Sequence, residues 1–202
     1  LVLPALIVLL GMPVLAGAQD AAPAPMLAAL YDTTAASAEA LSGAAIEART
    51  GWVAVKEEDL THAFQGDAVL VNDRLALVLR KGGTGAESYA LSSTGAWLRA
   101  VLSPKSAKGI QSLEVIENTP AAVAVRATFG SEGGRTLAVA YRITVGQITI
   151  QMEPGEGVDE LNVAAQTDYL VVPDFFADDL VYVAQSAKGA SLGLPADRKS
   201  VV

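Results

Sequence analysis

Apolar residues recur at every second position through most of the chain between Trp52 and Met152, and clusters of Gly, Asn, Asp, Ser and Pro interrupt them repeatedly. The clearest case is Gly66 to Lys81, GDAVLVNDRLALVLRK, where Val69, Val71, Leu75, Leu77 and Leu79 keep the period of two on either side of Asn72-Asp73. Asn and Asp accept positive φ and bond their own backbone, so this stretch predicts a β-hairpin. Further strands are predicted at Trp52 to Lys56, Tyr89 to Leu91, Trp97 to Leu102, Ile110 to Glu117, Ala121 to Phe129, Thr136 to Val145 and Ile148 to Met152. Between them lie the turns Ser92-Ser93-Thr94-Gly95, Asn118-Thr119-Pro120, Ser131-Glu132-Gly133-Gly134 and Gly146-Gln147, and a polar loop from Pro104 to Gly109.

Val123, Val125, Ala127 and Phe129 share one face of their run, as do Leu137, Val139, Tyr141, Ile143 and Val145, while Arg126, Thr128, Arg142 and Thr144 take the opposite positions. One buried and one wet face is the pattern of antiparallel sheets packed on one another. No segment between these runs is long enough for a helical crossover, which argues against a parallel α/β sheet. The expected fold is mainly β, an antiparallel β-sandwich preceded by a short helix or linker.

The ends of the chain have a different character. Leu1 to Leu15 is almost wholly apolar but shorter than the roughly 20 residues that span a bilayer, and Ala16-Gly17-Ala18 follows it as a small-x-small cleavage site. Residues 1–18 therefore read as a signal peptide whose start is truncated, since neither an initiator Met nor a basic segment precedes Leu1. Residues 19–50 read as a Pro/Ala linker followed by an alanine-rich stretch that is either spacer or a short helix, with Asp32-Thr33-Thr34 capping it near Ala35 and Gly43 weakening it. Residues 51–196 form the expected sandwich domain. The last six, 197–202, read as the translation of a sequencing adapter, so the sandwich is expected to be incomplete at its C-terminus and followed by downstream domains of the same chain.

Three phrases carry a family resemblance: VLVNDRLALVLRKGG (Val69 to Gly83), LEVIENTPAAVAVRATF (Leu113 to Phe129) and LAVAYRITVGQITIQMEP (Leu137 to Pro154). Together they resemble the start of galactose-mutarotase-like β-supersandwich domains of exported carbohydrate-processing proteins. The resemblance implies a supersandwich-like architecture and a role on polysaccharide. The phrases are architectural, and the family's catalytic His and acidic residues map onto no position of this chain, which leaves the catalytic residues unassigned.

Composition narrows the chemistry. With 14 Lys and Arg against 22 Asp and Glu, the formal charge is −8, and no basic stripe is present to neutralise phosphates, so nucleic acid is not an expected partner. Cysteine is absent, so stability must come from core burial rather than disulfides, which suits a periplasmic or extracellular bacterial protein of this size. His62 is the only histidine, which removes multi-histidine metal sites and Cys/His dyads; it reads as a surface or edge residue. Gly82 to Gly85 lacks the spacing of phosphate-binding loops and reads as a flexible corner.

Acidic residues gather late in the chain, and Pro173 to Leu180, PDFFADDL, sets Asp174, Asp178 and Asp179 beside two aromatics. Calcium takes such oxygens, which makes these three candidate metal ligands, but EF-hand spacing is lacking and solvated or capping carboxylates are the preferred reading. Glu153 and Glu156 flank Pro154-Gly155 as a conceivable glycosidase pair. Trp52, Tyr89, Trp97 and Tyr182 are candidate stacking platforms for sugar rings, or else core residues. The functional expectation is a segment of an exported protein that binds or processes polysaccharide. The alternative is a non-catalytic structural or adhesion sandwich of a cell-surface or periplasmic protein.

Overall fold

The computed structural model describes residues 27–165 in full, and residues 169–172, 180–183, 190–195 and 200–201 by their backbone. Its strands are β1 (Ala29–Asp32), β2 (Val53–Ala54), β3 (Ala68–Val71), β4 (Leu75–Leu79), β5 (Ala86–Ser92), β6 (Gly95–Pro104), β7 (Ala107–Asn118) and β8 (Ala122–Ser131). They continue as β9 (Thr136–Thr144), β10 (Ile150–Pro154), β11 (Glu160–Ala165), β12 (Tyr169–Val172), β13 (Leu180–Val183), β14 (Ala190–Pro195) and β15 (Ser200–Val201). A helix, α1 (Gly43–Ala48), lies between β1 and β2.

The strands form an 8-stranded sheet in the order β14-β11-β6-β5-β4-β3-β1-β2 and a 5-stranded sheet in the order β15-β10-β9-β8-β7, with β12 and β13 paired separately. The expected mainly β, antiparallel sandwich is thus present. Its core lies between the two sheets: Leu70, Leu77 and Leu79 of the large sheet meet Val123, Val125, Phe129, Val139 and Tyr141 of the small one. Removing these faces from water is the main driving force for the layering. Tyr141 is fully buried, and its hydroxyl donates across the sandwich to the Leu102 carbonyl at 3.0 Å. Burial pushes its phenol pKa up, so it stays a neutral donor.

The hairpin around Asn72-Asp73 forms as its residues dictate. The Asn72 N–H donates to the Leu75 carbonyl at 3.0 Å, and the Asn72 Oδ1 accepts from the Arg74 and Leu75 N–H groups, each at 2.8 Å. Val69 pairs with Val78 and Leu70 with Leu77, so Val69 and Val71 face away from Leu75, Leu77 and Leu79. A second cluster covers that other face, where Ile46 of α1 packs with Val69, Val71, Ala76, Val78 and Tyr89. Strands β3 and β4 are therefore buried on both sides, which explains why nearly every residue from Ala68 to Leu79 outside the turn is apolar.

The short helix expected in the stretch before the sandwich is present as α1, but it starts at Gly43 rather than near Ala35, and the same stretch first supplies β1, which lies inside the large sheet between β3 and β2. Ser42 caps the helix by accepting from the Ala45 N–H at 3.2 Å, and Arg49 closes it in the left-handed region at φ 48°. Gly43 does not interrupt the helix but opens it, because a Cβ there would overlap the Ala96 carbonyl of β6. Likewise the Pro104–Gly109 loop contracts to Lys105-Ser106, a tight corner where the chain leaves one sheet for the other.

Candidate functional site

The four candidate stacking residues have separate fates. Tyr89 is 1% exposed, and its hydroxyl lies 2.8 Å from the Leu41 carbonyl and 3.2 Å from a Glu87 carboxylate oxygen, two acceptors that share its single proton. Burial and then the neighbouring Glu87 carboxylate push its pKa up. Trp52 is half-buried in the second cluster, its ring 6.2 Å from that of Tyr31. The Tyr182 side chain lies outside the described residues. Trp97 alone of the described three is open, at 41% exposure.

Trp97 stands in a disturbed part of the sheet. Tyr89 pairs with Leu98 and Ser88 with Ala100, which leaves Arg99 as an extra residue on β6. Trp97, Leu98 and Arg99 are consecutively exposed at this bulge. Strand β11 pairs with β6 only from Ala100 to Pro104, so among the described residues the outer edge of Gly95 to Arg99 is open. Bulges re-aim side chains and end pairing, and both effects present the indole here.

His62 is more engaged than an edge reading implies. Its Nε2 lies 3.0 Å from Asp32 Oδ2, and its ring meets Phe64 edge-on at 4.9 Å. Asp32 is buried and accepts three backbone N–H groups as well, from Thr34 at 2.8 Å, Gln65 at 2.7 Å and Gly66 at 2.8 Å. Burial works against its charge, yet these donors together with His62 outweigh it and hold the carboxyl below its ordinary pKa. Asp67 is similarly saturated, taking the Lys81 N–H at 2.8 Å and the Ser37 N–H at 2.9 Å. The His62–Asp32 pair, together with the backbone N–H groups that Asp32 accepts, clamps the loops around it. Gly82 and Gly83 are stitched to the small sheet through Ile110, at 3.2 and 2.9 Å, and form a corner rather than a cradle.

Asp174, Asp178 and Asp179 lie outside the described residues. Among the described residues no group of three or more His, Cys, Asp or Glu is placed to hold a metal ion. Glu153 borders a shallow groove of about 220 Å³ on the outer face of the small sheet, beside Ile116, Arg126 and Ala140. Glu156 instead sits on the loop leaving β10, its carbonyl accepting from the Ala138 N–H at 3.0 Å.

A second concavity of about 180 Å³ was invisible in the sequence. Three chain crossings build it at one end of the sandwich: the Lys105-Ser106 corner, the turn after β8 and the loop before β11. Lys105, Ser131, Arg135, Asp159 and Glu160 line it, with Leu137 at hand as an apolar wall. Lys105 Nζ donates to Glu160 at 2.8 Å, and the Lys105 N–H donates to the Glu160 carbonyl at 2.9 Å. The carboxylate raises the Lys105 pKa. These residues are spread from 105 to 160 without a spacing signal, and Ser131 to Gly134 reads locally as nothing more than a turn. The chain matches no family model, no curated protein and no solved structure.

Proposed function

We propose that this chain is a β-sandwich segment of an exported protein that binds or processes polysaccharide, and that Trp97 is its contact with the sugar. The observation behind the reading is the exposed indole at the β6 bulge, flanked by Arg99. An indole face stacks on the C–H face of a pyranose, and a guanidinium beside it donates to ring hydroxyls or to a carboxylate. The three phrases that resemble galactose-mutarotase-like domains point to the same substrate class. The apolar leader over residues 1–18 supports export.

Affinity electrophoresis of the full chain through gels containing soluble neutral and acidic polysaccharides tests the proposal. Retardation by at least one glycan is expected, together with a loss of about tenfold in affinity for Trp97→Ala, a difference near 1.4 kcal/mol. The side chain is 41% exposed, so the loss of its covered part should lower the melting temperature only modestly, and binding is compared well below both midpoints. Retardation that survives the substitution would remove Trp97 from the reading. Absence of binding to every glycan would favour the structural or adhesion alternative. That alternative has its own support: residues 33–52 close the outer face of the large sheet, and ion pairs such as Arg126–Glu114 and Arg142–Glu117, both at 2.7 Å, cover that of the small one.

A further inference from the structure

We infer that the cleft at the β6–β7 corner binds a single neutral, hydroxyl-rich ring, such as one sugar residue of a glycan chain. The class of ligand rests on the carbohydrate reading above, but the location does not. Lys105 lies eight positions along the chain from Trp97, which at ~3.3 Å per residue is roughly 26 Å away.

Three features of the cleft bear on what it could hold. First, its rim holds unusual backbone. Ser106 adopts φ 63° and Gly157 φ 76°, and a Cβ at Gly157 would overlap the Thr136 carbonyl. Left-handed backbone at a non-glycine residue is found at functional sites as well as at tight corners such as this one. Second, Ser131 Oγ is buried with no hydrogen-bond partner, the one such side-chain atom among the described residues. A buried polar atom left alone calls for a missing partner, and a hydroxyl turns its O–H about the Cβ–Oγ bond to suit one. Third, Arg135 makes no hydrogen bond or ion pair among the described residues, while Lys105 is already committed to Glu160.

The polarity of the lining selects the ligand. Glu132, Asp159 and Glu160 are acceptors when ionised, and Arg135 is a donor only. With Lys105 and Glu160 paired, an anion would satisfy Arg135 but face Glu132 and Asp159, and a cation would satisfy those two but face Arg135. A neutral ring bearing several hydroxyls serves both kinds of partner, since each hydroxyl donates and accepts. The volume of about 180 Å³ falls below the ~300–1,000 Å³ of ordinary small-molecule sites, which limits the occupant to about one ring.

Titration calorimetry of the full chain tests this with methyl glucoside, methyl galactoside and methyl mannoside as neutral probes and glucuronate as the charged one. At least one neutral glycoside should bind, more tightly than glucuronate. Arg135→Ala should weaken it about tenfold and Ser131→Ala by less, both with unchanged melting, while Trp97→Ala should leave it untouched. No heat from any neutral glycoside, a preference for glucuronate, or full affinity in Arg135→Ala would each overturn the inference. The two readings fail separately. Trp97-dependent polysaccharide binding without glycoside binding sinks only the cleft, and glycoside binding without Trp97-dependent retardation sinks only the stacking site.

Discussion

Asp32 shows how much one side chain can organise. Its two oxygens gather N–H groups from Thr34, Gln65 and Gly66 as well as His62, so the carboxylate fixes the entry into β3 from a position far away in the chain. Asp32→Ala leaves three backbone donors without their acceptor in a buried setting and should cost about 3 kcal/mol, read from urea denaturation. Acidity gives a finer test. A carboxyl whose folded pKa is depressed contributes stability that is fully present above its unfolded value, near 3.9, and is lost as pH falls through the lower folded value. Asp32→Asn should therefore flatten the decline in stability below about pH 4 while lowering stability at neutral pH. A decline as steep as that of the parent chain would assign the acid sensitivity elsewhere. None of this was legible locally: Asp32 read as a helix cap, because the three-residue pattern Asp32-Thr33-Thr34 fits that role and its distant partners leave no periodic trace.

Among the elements, the strands after β10 were not read at all, while β1 was missed and α1 misplaced, each for an identifiable reason. Ala29 to Asp32 is too short to show alternation, and it becomes a strand only because β3 offers it a register from Ala29↔Val71 to Asp32↔Ala68. The strands from Tyr89 to Met152 were legible because both periods and turns are encoded within about ten residues, the range over which alternation can be read. Gly43 misled in a different way. By propensity alone, Gly43→Ala in α1 should stabilise by up to about 1 kcal/mol. The new Cβ would instead overlap the Ala96 carbonyl, which forces the helix away from β6 and disturbs the Ile46 packing beneath it. A net loss of about 2 kcal/mol is expected, as for other overpacked contacts, with a correspondingly lower thermal midpoint. A raised midpoint would mean that α1 can lift off the sheet without harm.

At the scale of the whole molecule, the turn that is easiest to read in the sequence also fastens the two sheets to each other. Asn72 Nδ2 donates to the Thr144 carbonyl at 2.7 Å and to the Gln147 carbonyl at 2.8 Å, while Asp73 Oδ1 accepts from the Gly146 N–H at 2.7 Å. The Asn72-Asp73 turn of the large sheet thus grips the β9–β10 turn of the small one, and a hairpin chosen for local reasons also sets how the layers meet. Local chemistry made the turn legible; its partners, 72 to 75 positions away, could not be. Asn72→Ala removes both functions and should cost about 3 kcal/mol, the sum expected for four hydrogen bonds lost, those to the Arg74 and Leu75 N–H groups and to the Thr144 and Gln147 carbonyls. Asn72→Asp separates them. It keeps an oxygen for the Arg74 and Leu75 N–H groups, so the hairpin itself survives, but it sets a carboxylate against two carbonyl oxygens. If the grip between sheets matters more than the turn, the aspartate variant will be no more stable than the alanine one, and its protection from hydrogen exchange will fall at Val145 to Gln147 before it falls at Leu75. An aspartate variant close to the parent in both measurements would mean that packing of the core alone, through Phe129, Val139 and Tyr141, holds the layers in place.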